Sequence, residues 1–164
     1  RTDLKRIVYM NDEQEEAYRS MQRRLIAELR GKDTSVEAEA VNVLSKIMKL
    51  RQITSGFLTN TVTEEVAKLD HNPKLEELDS VIEEIGESKC VISAQFREEI
   101  SALEEKYREL GAVSIHGDVT PQKREEAVRK LQTDPNTKLI ILQPQAAAHG
   151  ITLTAANYLV FQSQ

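Results

Sequence analysis

The stretch from Gln143 to Thr154, QPQAAAHGITLT, holds the most chemically pointed residues of the chain. The apolar run KLIILQ opens there into three alanines and a glycine, and Thr152 and Thr154 follow before apolar residues resume. Small residues let a backbone come close to a ligand. Ala147, Ala148 and Gly150 can bring main-chain amides near a phosphate, and Gln143, Gln145 or Thr152 can donate to its oxygens. A tight turn chosen only for packing accounts for the same residues when they are taken alone. Two shorter turns share this character: Gln95, an amide where an apolar run ends, and His116-Gly117-Asp118 after AVSI.

Other chemistries find no support. A phosphate-binding loop of the form GxxxxGK[ST] is absent, and Gly31-Lys32-Asp33-Thr34 lacks both the preceding glycine and the hydroxyl beside lysine. The three histidines, His71, His116 and His149, are too far apart to form a ligand pattern, and no Ser-His-Asp arrangement stands out. The single cysteine, Cys90, lies in an apolar run and reads as a small buried hydrophobe in a reducing compartment. Net charge is −5, opposite in sign to a free-standing nucleic-acid-binding module, so any such contact is local. Residues 1–60 carry 11 basic and 9 acidic side chains, and the acidic excess falls in the remainder.

The elements that must position these turns follow from periodicity. KRIVYM at 5–10 predicts a strand, and Asn11-Asp12 with Glu15 a helix start. Tyr18, Met21, Leu25 and Leu29 recur at helical spacing up to Gly31. A second helix is predicted from Thr34-Ser35, with Val36, Ala40, Val43, Leu44, Ile47 and Leu50 on one side and Gly56 closing it. Arg51-Gln52 at its end can cap carbonyls or dock against the core, and docking is the expected role. Residues 59–71 lose periodicity and predict an exposed loop. After Asn72-Pro73, helices alternate with short β-rich runs, the pattern of a parallel sheet. The predicted order is helix 74–86, strand 89–94, helix 96–110, strand AVSIH, a helix from Thr120-Pro121 to about Gln132, strand 138–143 in a central place, and strand 157–161. In such sheets ligands bind at the carboxyl ends of the strands, where Gln95, His116-Gly117 and Gln143 fall.

Taken in order, these segments resemble the Swi/Snf-like branch of superfamily 2 helicases. LRQITSGFL at 50–58 and NPKLEEL at 72–78 are similar to the end of that family's helical protrusion and to the opening of its second lobe. KCVISAQF resembles motif IV, and QAAAHGITLTAANYLVF resembles motif V. HGDVTPQKREEAV, with Arg124 seven residues after Gly117, resembles the glycine-to-arginine motif between them. The chain departs from the family pattern at Ala94 for serine, Gln143-Pro144 for a Ser-Thr pair, Ala147-Ala148 for two glycines, and Thr152 for asparagine. Motif VI, which follows the last strand in the family, is not reached by Gln164.

The resemblance implies an α/β fold, a RecA-like (P-loop NTPase-like) parallel sheet flanked by helices with an N-terminal helical protrusion. Residues 1–71 are then an edge strand and helical insertion, and 72–164 a second helicase lobe cut before motif VI. It implies part of an ATP-hydrolysing double-stranded DNA translocase. DNA contacts are expected at Gln95, His116, Gly117, Gln143, Gln145 and Thr152, and ATP contacts at Ala147, Ala148 and Gly150. The full-length enzyme is expected to use ATP and Mg2+ with a first RecA-like lobe of the same polypeptide. This segment alone is expected to be monomeric, to be inactive, to have no catalytic residue and to bind no cofactor or metal. No membrane partner is expected, the location is cytoplasmic, and the SGFL ending points to a bacterial or phage source. Two rivals stand beside this reading. One is the second lobe of a DEAD-box-like RNA helicase, and the other is a doubly wound protein-interaction or receiver-type domain.

Overall fold

A computed structural model describes residues 2–30, 36–60, 62–63, 65–147 and 150–163. The chain divides into two units, Arg1–Glu77 and Leu78–Gln164.

In the first unit, helix α1 (Asp12–Arg30) packs on α2 (Val36–Thr54). Asn11 caps α1 in a reciprocal box: its Oδ1 accepts from the Gln14 amide at 2.8 Å, and its own amide donates to Gln14 Oε1 at 3.4 Å. The reciprocating residue is Gln14, not Glu15, because it stands three positions past the cap. Gln14 is buried, and its Nε2 donates at 3.2 Å to the Ile53 carbonyl, which also accepts from the Gly56 amide at the end of α2. The predicted stop at Gly31 and start at Thr34-Ser35 lie outside the described residues. Of the apolar side expected for α2, Leu44 and Ile47 are exposed.

Two expectations fail here. KRIVYM carries no secondary structure, and Ile7 and Tyr9 are exposed. A strand is stabilised by its cross-strand partners, and no strand pairs with this run among the described residues. The predicted loop at 59–71 instead carries the second strand of an antiparallel hairpin, β2 (Val66–Lys68), paired with β1 (Phe57–Thr59), with Phe57 opposite Lys68. All three β2 residues are exposed, so no apolar alternation betrays them. Gln52 holds this hairpin rather than docking on the core: its Oε1 accepts from the Thr59 amide at 3.3 Å.

Helix α3 (Pro73–Ile85) begins at Asn72, whose Oδ1 accepts from the Lys74 amide at 3.1 Å, and it crosses the division between the units. The second unit continues with β3 (Lys89–Ser93), α4 (Arg97–Lys106), a 3-10 turn at Arg108–Leu110, β4 (Val113–Ile115), α5 (Pro121–Thr133), β5 (Leu139–Leu142), a one-turn helix α6 (Pro144–Ala147) and β6 (Ala156–Phe161). Thr120 caps α5, its side chain accepting from the Lys123 amide, with Pro121 in the first turn as predicted. Within the former QPQAAAH loop, α6 is unforeseen.

The four strands are parallel in the order β4-β5-β3-β6, with β5 and β3 central. The chain passes leftward from β3 to β4 and rightward from β4 to β5, so right-handed crossovers put α4 and α5 on opposite faces. Against α5, Ala127 and Leu131 bury Val91, Ile115 and Ile140. The alternate residues Leu139 and Ile141 point to the other face, where α4 buries Ile100 and Leu103. Both faces of β5 are therefore covered. Each fully buried Ile or Leu contributes about 1.5–3 kcal/mol, and Ile92, Ile115, Ile140, Ile141, Leu103 and Leu131 are all completely buried. Among the described residues no helix is long and apolar enough to cross a membrane.

Candidate functional site

The register decides where the turns emerge. Ser93 lies opposite both Leu142 and Phe161, and Ile115 lies opposite Leu142, so all four strands end in one row. The residues that follow leave the sheet side by side.

Gln143 fastens them together. Its main-chain amide donates to the Ile115 carbonyl at 2.9 Å. Its side-chain Nε2 donates to the Gln95 carbonyl at 3.1 Å, and its Oε1 accepts from the Gly117 amide at 3.2 Å. One carboxamide thus uses a donor and an acceptor to hold the turns after β3 and β4 at fixed spacing from the turn after β5. A carboxylate or an aliphatic chain at 143 lacks one or both functions.

A guanidinium joins two of these turns, those after β4 and β5. Arg124, in the first half of α5, donates from Nε to the Val119 carbonyl at 2.9 Å and from Nη1 to the Ala146 carbonyl at 3.2 Å. Its Nη2 donates to the carbonyls of His116 and Gly117 at 3.2 and 3.4 Å. Its five-donor fork suits this bridging. Arg124 is a positioning residue here: among the described residues every partner of its side chain is main chain.

The fourth turn joins through a residue that periodicity did not single out. Ser163 Oγ accepts from the Gln95 amide at 2.7 Å and donates to the buried Glu99 carboxylate on α4. The main chain of Gln95 is therefore held on both sides, its amide by Ser163 and its carbonyl by Gln143. A serine beyond the last strand carries no periodic signal.

Around His116 the surface becomes charged. Arg97, at the start of α4, places Nη1 2.7 Å from His116 Nδ1 and 2.6 Å from Asp118 Oδ2. Arginine only donates, so Nδ1 accepts and the imidazole is neutral with its proton on Nε2. Burial, and then the Arg97 charge, hold the His116 pKa below the ordinary histidine value, while Glu104 and Asp118 pull the other way.

Four of the predicted contacts, Gln95, His116, Gly117 and Gln143, thus form one cluster. Gln145 is exposed on the adjoining α6. Ala147 ends α6, Ala148 lies outside the described residues, and Gly150 sits in an exposed turn with φ +61° and nothing within 4 Å of where a Cβ would stand. Thr152 is placed elsewhere, contrary to expectation. Its carbonyl accepts from Gln132 Nε2 at 3.0 Å, and Gln132 Oε1 accepts from the Ala155 amide at 3.0 Å. Gln132 lies at the carboxyl end of α5, beside Asp134, whose carbonyl accepts from Lys89 at the first residue of β3 at 2.7 Å. This is the amino-terminal edge of the sheet, the side away from Gln95. The 144–155 connection crosses from one edge to the other, so neighbours in sequence are divided between two edges.

Residues 73–163 match the family described as the helicase conserved C-terminal domain. A stretch of 117 residues is 26% identical to the TATA-binding protein-associated factor BTAF1 of Arabidopsis thaliana, covering 59% of this chain and 6% of that protein. Over 49 residues the chain is 43% identical to the human DNA annealing helicase and endonuclease ZRANB3, covering 30% of this chain and 4% of that protein. The structure of the Sulfolobus solfataricus SWI2/SNF2 ATPase core in complex with dsDNA aligns with a TM-score of 0.78 at 22% identity, over 96% of this chain and 34% of that one. The chain thus spans a small part of the curated relatives it matches. The expected fold class is borne out: a parallel four-stranded sheet between helices, as in the RecA-like C-terminal lobes of Snf2 ATPases.

Proposed function

This chain belongs to the helicase conserved C-terminal domain family, in its Swi/Snf-like branch, and from that premise we propose that it is the second RecA-like lobe of an ATP-dependent translocase on double-stranded DNA. The observation that carries the reading is the tie from Gln143 to both Gln95 and Gly117, which makes three strand-end turns into one polar face. A preorganised face of amides and neutral donors suits the phosphodiester backbone, whose oxygens accept hydrogen bonds regardless of base. In this reading residues 72–164 form the lobe, and the helices of residues 1–71 an insertion that leads into it.

The face grips one strand through the side-chain amides of Gln95 and Gln145, while Gln143, holding the Gly117 amide, and Arg124 keep their spacing. None of these reads a base, so the grip is sequence-independent and can be released and remade along the duplex. Gly150 is the position suited to a nucleotide phosphate, because its exposed backbone at φ +61° leaves the approach free of side chain. Ala147 at the end of α6 stands next to the same turn. ATP, with Mg2+ held by the first lobe, supplies the hydrolysis energy that moves one lobe against the other. This lobe's part is to present the phosphate face in a fixed geometry.

The test is a pair of ATPase assays. The chain alone is expected to show no DNA-stimulated hydrolysis, whereas the complete polypeptide is stimulated by duplex DNA and loses stimulation on Gln95→Ala with little change in Tm. Robust turnover by the chain alone, or a fully stimulated Gln95→Ala enzyme, contradicts the proposal.

A further inference from the structure

We propose that Arg97 is a phosphate-binding cation of this face, oriented by His116 and masked by Asp118, and that a backbone phosphate of a nucleic-acid strand displaces Asp118 when it binds. The inference rests on the proposed function, because it names a ligand-contacting residue within the same face.

Three observations carry it. First, Arg97 stands two positions after Gln95 and touches the residue that precedes Gly117, so its guanidinium lies among the fastened turns. The other guanidinium there, that of Arg124, is consumed by four main-chain carbonyls. Secondly, among the described residues both contacts of Arg97 run through Nη1, whereas Nε is buried with no hydrogen-bond partner. A well-made arginine–carboxylate pair is a fork of two parallel hydrogen bonds, and this one is a single point. Nη2 is left to take a further oxygen. Thirdly, Asp118 is 78% exposed and Arg97 40% exposed. An ion pair so open to water is worth about 0–1 kcal/mol, so exchanging the aspartate for a phosphate loses little.

His116 is the positioning residue. Its neutral Nδ1 holds Nη1 by a hydrogen bond that carries no opposing charge, so the arginine keeps its full charge for the incoming anion.

The experiment is fluorescence anisotropy of this chain on a short DNA duplex, titrated across a range of salt, for wild type, Arg97→Gln, Asp118→Asn and the double variant. Arg97→Gln is expected to weaken binding several-fold and to reduce the slope of log K against log salt by about 0.9, the loss of one phosphate contact. Asp118→Asn is expected to tighten binding several-fold, and that gain is expected to vanish in the Arg97→Gln background. A gain of equal size in both backgrounds is a general charge effect and overturns the masking role. Wild-type affinity and slope in Arg97→Gln overturn the inference while leaving the face itself intact. No duplex binding by the wild type even at low salt removes the proposed function as well. Asp118 is exposed on a turn, so Asp118→Asn reports even if Arg97→Gln folds poorly.

Discussion

Gln143 Nε2 donates to the main-chain carbonyl of Gln95 at 3.1 Å across 48 residues of sequence. With the Gly117 amide on Oε1, this makes one side chain the junction of three turns. Gln143→Ala removes both bonds and leaves a part-buried carbonyl and an amide to find water. A loss of about 1–3 kcal/mol in urea unfolding is expected, together with weaker duplex binding. Gln143→Glu keeps an acceptor for Gly117 but turns a carboxylate toward the Gln95 carbonyl and toward phosphate. It is expected to bind duplex more weakly than Gln143→Ala; equal binding by the two variants counts against a phosphate face.

Arg124→Lys is not a conservative change. A single ammonium cannot span Val119, His116, Gly117 and Ala146, so most of the four carbonyl contacts are lost. The expected cost is about 2–3 kcal/mol for alanine, with lysine recovering only a small part of it. Full stability of the lysine variant in chemical denaturation contradicts the clamp.

The acid side of the stability profile carries the signature of His116. A histidine whose folded pKa lies below its unfolded value binds fewer protons when folded. Its stabilising share is therefore complete above the unfolded value near 6.5 and is lost as pH falls through that value toward the lower folded one. Wild type minus His116→Gln, measured by unfolding at a series of pH values, is expected to fall on acidification below about 6.5. A difference that is flat or rises on acidification is inconsistent with a neutral imidazole accepting from Arg97.

Cys90 is wholly buried in β3, and burial pushes its thiol up to about 12. Native protein at neutral pH is expected to resist iodoacetamide until it unfolds, so the alkylation rate tracks global unfolding. Rapid labelling of the folded chain means that β3 is not the closed central strand described.

Much of this was legible because the signals are local or periodic. The β5 run LIIL is apolar on both faces, and that alone predicted the central place it holds in the sheet. The cap at Thr120-Pro121 is single-residue chemistry, whereas the helix expected over 96–110 ends at Lys106 and Gly111, with φ +64°, closes only the 3-10 turn after it. Two misses have a common cause. KRIVYM has strand-forming residues but no paired strand among the described residues, whereas VAK at 66–68 is exposed and pairs with β1. Pairing lies outside the segment that is read. The site behaved likewise: strand ends gave Gln95, His116, Gly117 and Gln143, but the bond from Gln95 to Ser163 spans 68 residues, and no spacing rule encodes it. Thr152 was grouped with Gln143 by proximity in sequence, and Gln132 holds it at the other edge.

The central claim is that the turns after β3, β4 and β5 form one nucleic-acid-binding face. The most direct test is an amide-resolved NMR titration of the chain with a short DNA duplex. The account predicts that the shifted amides cluster at Gln95, Arg97, Gly117, Gln143 and Gln145, while those of Thr152–Ala155 and the β1–β2 hairpin stay in place. Shifts confined to the amino-terminal edge or the hairpin, with the Gln143 cluster unmoved, contradict it.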